Sequence, residues 1–167
     1  DDLVAARKHT RGKSTWGSGG MASKLDAARR ALLRRAAPGQ SVELVRSRFL
    51  PDNARVLARS VDVVVEGADN FATKFLAADA CRLEQRPVIH GSGVRWMATT
   101  WCVAPLGRPC YRCLFEDLPG GAAAPNCAEA GVMGPVVGFA GALMADLALS
   151  VLSDDQERFG RIYTFDG

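Results

Sequence analysis

No complete phosphate-binding P-loop is present. GKST at 12–15 supplies the closing residues of G-x-x-x-x-G-K-[ST], but position 7, where the first glycine belongs, is Arg7. That route to nucleotide phosphates is excluded. Histidine is scarce: His9 and His90 show no partner spacing, so no His/carboxylate catalytic pair is legible, and they read as a solvent-exposed residue and a strand-end packing residue. The five cysteines are an odd number, and no signal peptide is in view. A closed disulfide framework is therefore disfavoured, and a reducing, cytoplasmic setting with metal or thiol chemistry is expected. Only one C-x-x-C pair occurs, where a tetrahedral thiolate site needs two. No stretch has the character of a nucleic-acid module, so no nucleic-acid partner is expected.

What is present is enough for one domain: 167 residues, 48% hydrophobic, can bury a sizeable core. The chain opens on Asp1 and stops at Gly167 directly after a strand-like RIYTFDG, which reads as a fragment of a longer protein. Net charge is only +3, yet residues 1–60 hold 13 Lys and Arg against 5 Asp and Glu, while the remainder holds 8 against 13. A basic early half suits an anionic ligand such as a triphosphate or an acidic protein partner, although scattered surface arginine is commoner.

Residues 1–20 lack an apolar period and read as a mobile, basic, glycine-rich loop. A helix is expected from about Ala22, with Leu25, Ala28, Leu32 and Leu33 on one face, Lys24 in its first turn and Pro38-Gly39 closing it. A strand at 42–45, a helix at 53–58, a strand at 61–65, a helix at 71–85 and a strand in PVIHGSG give a β-α-β rhythm. That rhythm implies a doubly wound, mostly parallel sheet. The strand at 97–103 follows so short a turn that only an antiparallel return is possible, so the C-terminal part should be mixed.

The most informative stretch is VDVVVEGADNFATK, 61–74: a β-branched run read as buried on both faces, ended by Gly67, then a polar loop before a helix. Asp69 and Asn70 stand at the carboxyl end of that strand, where ligands bind in open α/β sheets. Asp69 can serve as a Mg²⁺ ligand or as the helix cap, and the residues alone favour the cap.

Residues 105–130, rich in Pro, Gly and Ala, form a long crossover loop carrying three cysteines. Cys110 and Cys113, in CYRC, are half of a zinc site or else a redox or incidental pair. Cys127 is a thiol able to reach a substrate, or a small apolar residue opening a helix. Cys81 and Cys102 belong to the core. The run 131–152 has a single charge, Asp146, and length for a membrane span. Pro135, four glycines and an unpartnered Asp146 argue instead for a core or dimer-interface helix, with Gly134, Gly138, Ala142 and Ala145 pressed on other backbone. No membrane association is expected.

From about Lys24 to Leu152 the sequence resembles the ThiF/HesA/MoeB branch of the ubiquitin-activating enzyme superfamily. The resemblance rests on DNF-x-T-K at 69–74, PCYRCLFED at 109–117 and NCAEAGVMGPVVGFAGALMADLAL at 126–149. It implies an ATP-binding, Rossmann-like, usually dimeric domain that adenylates the C-terminal glycine of a small ubiquitin-like sulfur carrier ending in Gly-Gly, in molybdopterin- or thiamin-type cofactor biosynthesis. By the same resemblance Asp69 is the Mg²⁺ ligand, Asn70 its neighbour at the phosphates, and Lys24 the lysine on the triphosphate. Laid on D-x-V-x-x-S-N-L-x-R-Q, residues 2–12 match at Asp2, Val4 and Arg11, which makes Asp2 and Arg11 nucleotide contacts. Cys110 and Cys113 become half of a structural Zn²⁺ site whose second pair should follow residue 167. Cys127 falls where some members engage the activated carrier or its sulfur covalently. The family's first strand and glycine-rich ATP loop should precede residue 1. The fragment alone is therefore expected to be inactive, and a degenerate, non-catalytic interaction domain is the alternative.

Overall fold

The computed structural model describes residues 21–107, 109–115 and 130–167, with 21–24 described by backbone alone. Its contacts divide the chain into two compact units, Asp1–Arg48 and Phe49–Gly167.

In the first unit helix α1 runs Met21–Leu33, close to the expected span, with Lys24 in its first turn. Gly39, at φ +88°, supplies the left-handed turn after it. The strand expected at 42–45 does not form. The Val42 carbonyl accepts from Arg29 Nε at 3.1 Å rather than joining a ladder, and Arg46 pairs with Asp26 at 2.5 Å. Leu32 and Leu33 are exposed, so the apolar stripe of this helix is left largely uncovered.

The second unit is built on a four-stranded sheet. Helix α2 (Ala54–Arg59) precedes β1 (Val64–Glu66), α3 (Phe71–Leu83), β2 (Val88–Val94) and β3 (Met97–Val103). A single helical turn, α4 (Tyr111–Leu114), the long helix α5 (Gly134–Leu152), a 3₁₀ turn (Gln156–Arg158) and β4 (Ile162–Asp166) follow. Sheet order is β1-β2-β3-β4, with β1 parallel to β2 and the other pairs antiparallel. The architecture is thus α/β and mixed, as expected of its C-terminal part. "Mostly parallel" does not hold for the described strands, since one pairing of three is parallel. The antiparallel return comes from the two-residue turn Arg95–Trp96, with Arg95 at φ +55°.

Period-two alternation on β2 and β3 sorts side chains to the two faces of the sheet. Val88, Trp101 and Val103 pack with Ala54, Ala58, Phe75 and Cys81 on the α2/α3 side. Ile89 and Cys102 pack with Met144 and Leu147 of α5 on the other. Gly91 lies so close to α5 that a Cβ there would overlap Met144 Sδ. The expectation that the 61–65 run is buried on both faces fails. β1 is a three-residue edge strand of the described sheet, and Val61 and Val65 are exposed.

Two expectations about α5 also change. Asp146 is not without a partner: its carboxylate takes Arg158 Nη2 at 2.9 Å. Among the described residues of this chain nothing lies within 4 Å of a Cβ added at Gly134 or Gly138, so these two are not pressed on backbone within the chain. The helix buries Val136, Ala140, Met144 and Leu147, while Val137, Phe139, Leu149 and Leu152 stay exposed. By length and composition alone it could cross a membrane.

Candidate functional site

The carboxyl ends of β1 and β2 and the first turn of α3 enclose a cavity of about 450 Å³. Asp69, Asn70 and Phe71 line it from the loop, Lys74 and His90 from α3 and β2, and Trp101, Tyr111 and Phe115 from β3 and α4. This is the strand end singled out by the sequence.

Asn70, not Asp69, caps α3. Its Oδ1 accepts from Thr73 N at 2.9 Å in extended backbone geometry, while its Nδ2 donates to Asp69 Oδ1 at 3.3 Å. The cap therefore leaves Asp69 an exposed carboxylate at a helix N-terminus beside the cavity. That is the donor type a Mg²⁺ ion takes, oxygen from one carboxylate with the remaining positions open to phosphate and water.

Beneath this loop lies a buried polar group of three. Glu66, the last residue of β1, accepts from Lys74 Nζ at 3.1 and 3.2 Å, lies 2.9 Å from His90 Nδ1, and is capped by the Ala68 N–H. Lys74 Nζ also donates to the Gly91 carbonyl at 2.6 Å. Glu66, Lys74 and His90 are all buried. Burial is the largest influence on Glu66 and pushes its pKa up, yet His90, Lys74 and the Ala68 N–H together hold it below the usual carboxylate range. Glu66 is then an acceptor only, and the hydrogen between it and His90 belongs to Nδ1.

His90 does pack, as expected, against Trp101 and Tyr111, and it also pairs with a carboxylate that the sequence did not point to. Glu66 and His90 are direct partners in the parallel β1–β2 register, which places both side chains on one face. The pairing depends on which strands meet, and no local spacing reveals it.

The His90 ring sits 4.8 Å from Tyr111 and 5.3 Å from Trp101 between centroids, and Tyr111 continues to Phe115 at 4.9 Å. Burial first, and then the Glu66 charge, raise the Tyr111 hydroxyl to about 12, so it stays protonated. The cavity wall is largely aromatic, with Ser92 and Thr99 among its polar members, and Lys74, paired to Glu66 behind it, reaches the lining.

Cys110 and Cys113 Sγ lie 3.3 Å apart across α4. Two thiolates on one tetrahedral zinc ion stand roughly 3.8 Å apart for Zn–S bonds of about 2.3 Å, so this pair fits half a site with small adjustment. Among the described residues no group of three or more His, Cys, Asp or Glu side chains gathers around a metal position. Cys81 and Cys102 are core residues, as expected, with burial raising their thiols to about 11 and about 12. Asp2, Arg11, Cys127 and the Lys24 side chain lie outside the described residues.

A family model described as the ThiF family matches residues 13–167. Over 137 residues, 81% of this chain, the sequence is 37% identical to "SAMP-activating enzyme E1" of Haloferax volcanii, covering 50% of that protein. It is 35% identical over 121 residues to "Adenylyltransferase and sulfurtransferase MOCS3" of Dictyostelium discoideum, covering 71% of this chain and 28% of that one. The protein of the same name from Anopheles gambiae is 36% identical over 127 residues, 75% of this chain and 29% of its own length. The chain thus spans half or less of the length of these relatives. With a family model covering nearly all of it, and DNF-x-T-K set at the mouth of a strand-end cavity, this chain belongs to the ThiF family.

Proposed function

We propose that the protein containing this chain uses ATP to adenylate the C-terminal glycine of a small ubiquitin-like sulfur carrier. The observation that carries the reading is Asp69: an exposed carboxylate, relieved of the capping role by Asn70, at the strand-end cavity of a ThiF-family chain. The relatives' names, an E1-type activating enzyme and adenylyltransferase/sulfurtransferases, support the same reaction class.

A carboxylate attacking the α-phosphorus of ATP approaches a group that is already negative. Asp69 would hold Mg²⁺, which offsets that charge when bound. Pyrophosphate leaves, and the acyl adenylate forms with no obligatory proton transfer, so positioning and charge can supply most of the rate. Assignment of Asp2, Arg11 and Lys24 to the nucleotide is a separate proposal, tested by the KM for ATP of each alanine variant. Cys127 is proposed to attack the acyl adenylate and capture the carrier as a thioester with release of AMP or, once charged as a persulfide by a sulfane-sulfur donor, to attack it through the outer sulfur with the same release; a thiol-sensitive adduct lost in Cys127→Ser would test either.

Cys110 and Cys113 are proposed to hold a structural Zn²⁺ with a second thiol pair elsewhere in the full protein, tested by metal analysis of that protein. The exposed apolar side of α5, with Val137, Phe139, Leu149 and Leu152, motivates a homodimer, tested by sedimentation. A cytoplasmic location is proposed from the odd count of thiols. The decisive experiment is ATP–pyrophosphate exchange by the full-length protein with Mg²⁺ and a Gly-Gly-ended carrier from the same organism. Carrier-dependent exchange is the expected result. Its absence leaves a non-catalytic interaction domain.

A further inference from the structure

His90 is 1% exposed, and among the described residues its Nε2 has no hydrogen-bond partner. A buried polar nitrogen left unpaired is costly, and such atoms in native structures usually await a ligand or a water. The ring lines the cavity, and the Glu66 carboxylate already takes the Nδ1–H, so Nε2 points from the opposite edge of the ring. In the uncharged ring that nitrogen carries the lone pair and accepts a hydrogen bond. The carboxylate fixes the tautomer, and tilted ring contacts with Tyr111 and Trp101, at 60° and 44° between planes, hold the ring in place.

The surroundings select what donates to it. Lys74, the cation in the lining, is committed to Glu66 and to the Gly91 carbonyl, so among the described residues the lining offers no unpaired cation for a phosphate. The walls are Phe71, Trp101, Tyr111 and Phe115, which suit a neutral, slender segment. We infer that His90 is a substrate-contacting residue whose Nε2 accepts a backbone N–H from the extended, glycine-rich terminus of the carrier as it lies in this cavity. The inference rests on the adenylation reading above and assigns part of its substrate recognition to one nitrogen. Glu66 and Lys74 are then positioning residues, acting through His90 and the Gly91 strand.

The test compares carrier-dependent exchange by the full-length wild type, His90→Asn and His90→Gln. Asparagine places an amide N–H where Nδ1 stood and keeps the tie to Glu66 but has no atom at Nε2, whereas glutamine reaches the Nε2 position with an acceptor. Loss of one such hydrogen bond is expected to raise the carrier KM about tenfold in His90→Asn, with the KM for ATP unchanged. His90→Gln should recover most of that loss. An unchanged carrier KM in a folded His90→Asn protein overturns the inference, and so does an equal rise in the KM for ATP, which would assign the nitrogen to the nucleotide. A second measurement covers the case in which neither variant folds. In ¹⁵N-histidine-labelled wild type, the His90 Nε2 resonance must move when the carrier is added without ATP, and a stationary resonance sinks the inference. Absence of exchange by the wild type is a different failure, that of the adenylation reading itself.

Discussion

A carboxylate held by two nitrogen groups lies near each end of helix α3, Glu66 from β1 at one end and Glu84 at the other, and the two behave differently. At the N-terminal end Glu66 is buried with Lys74 and His90 beneath the cavity. At the C-terminal end Glu84, the C-cap residue, takes Arg55 and Arg59, each at 2.6 Å, from α2. A carboxylate at a helix C-terminus faces the negative end of the dipole, so Glu84 is disfavoured by its own helix and retained by the two guanidiniums. Asp69 stands at the positive end, where an anion is favoured. What separates the ends is the exposure of the partners: the Glu84 side chain is itself only 6% exposed, but its arginines are 56% and 66% exposed, whereas every member of the Glu66 group is buried. Two nitrogen partners on one carboxylate make a fastening with exposed guanidiniums at one end and a buried, pre-set polar group at the strand end.

The largest expected effect breaks the buried end. Lys74→Met leaves Glu66 buried with half its hydrogen bonds and should cost about 3–5 kcal/mol in urea denaturation, as for other broken buried pairs. Lys74→Arg should recover part of that loss, while Arg55→Ala at the other end should give a far smaller one. Equal losses from Lys74→Met and Arg55→Ala would erase the distinction between the ends.

Next is Asp69→Ala, expected to lower pyrophosphate exchange by the full-length protein about 100-fold or more while leaving the melting temperature close to wild type. An exposed carboxylate contributes little packing, so the effect should appear in chemistry. Glu84→Gln should leave exchange unchanged. Wild-type exchange by a folded Asp69→Ala protein would remove the metal-binding role.

The sequence made one half of this comparison legible. Gly67, the polar loop and the start of α3 at Phe71 follow from local chemistry, as do the strands at 88–94 and 97–103 and their antiparallel turn. The DNF-x-T-K and PCYRCLFED stretches carried the family. Local chemistry could not tell which of two adjacent cap-capable residues caps the helix, and Asn70 took the place considered for Asp69. Nor could it show Glu66 opposite His90, a pairing 24 residues apart set by strand register, or the exposure of β1, set by its place at the edge. The irregular 42–45 segment had a strand's composition but made no ladder partner among the described residues. Failures of this kind share a cause: period and propensity describe a segment, and pairing describes two.

A smaller effect is expected from the cap. Asn70→Ala removes the acceptor for the Thr73 N–H and should cost about 1 kcal/mol, while Asn70→Asp should largely preserve stability. Exchange activity should fall less than in Asp69→Ala, because the side chain orients the loop and need not bind the metal. Thermal melts of the two Asn70 variants, with their exchange rates, separate capping from ligation.

The smallest effect concerns acid stability and distinguishes the ends by salt. The Arg59 hydrogen bond, then that of Arg55, holds the Glu84 carboxyl at about 2, against an ordinary value of 4.5. A carboxyl depressed in the folded state adds stability that is fully present above its unfolded value and is lost as pH falls through the folded one. Glu84's share should therefore fade between about pH 4.5 and about pH 2. With exposed arginines the share is small and should shrink further in about 1 M salt, where screening acts within about 3 Å. Glu66 is depressed in the same sense, so its share also disappears on acidification, but its burial should make that share insensitive to salt. Urea midpoints across this pH range, for wild type and Glu84→Gln with and without salt, separate the two. The wild-type-minus-variant difference should diminish with salt and with acid, while the acid dependence left in Glu84→Gln persists in salt. A remaining dependence that salt also abolished would mean that the N-terminal end of α3 is open to solvent, and that its carboxylate is fastened no differently from Glu84.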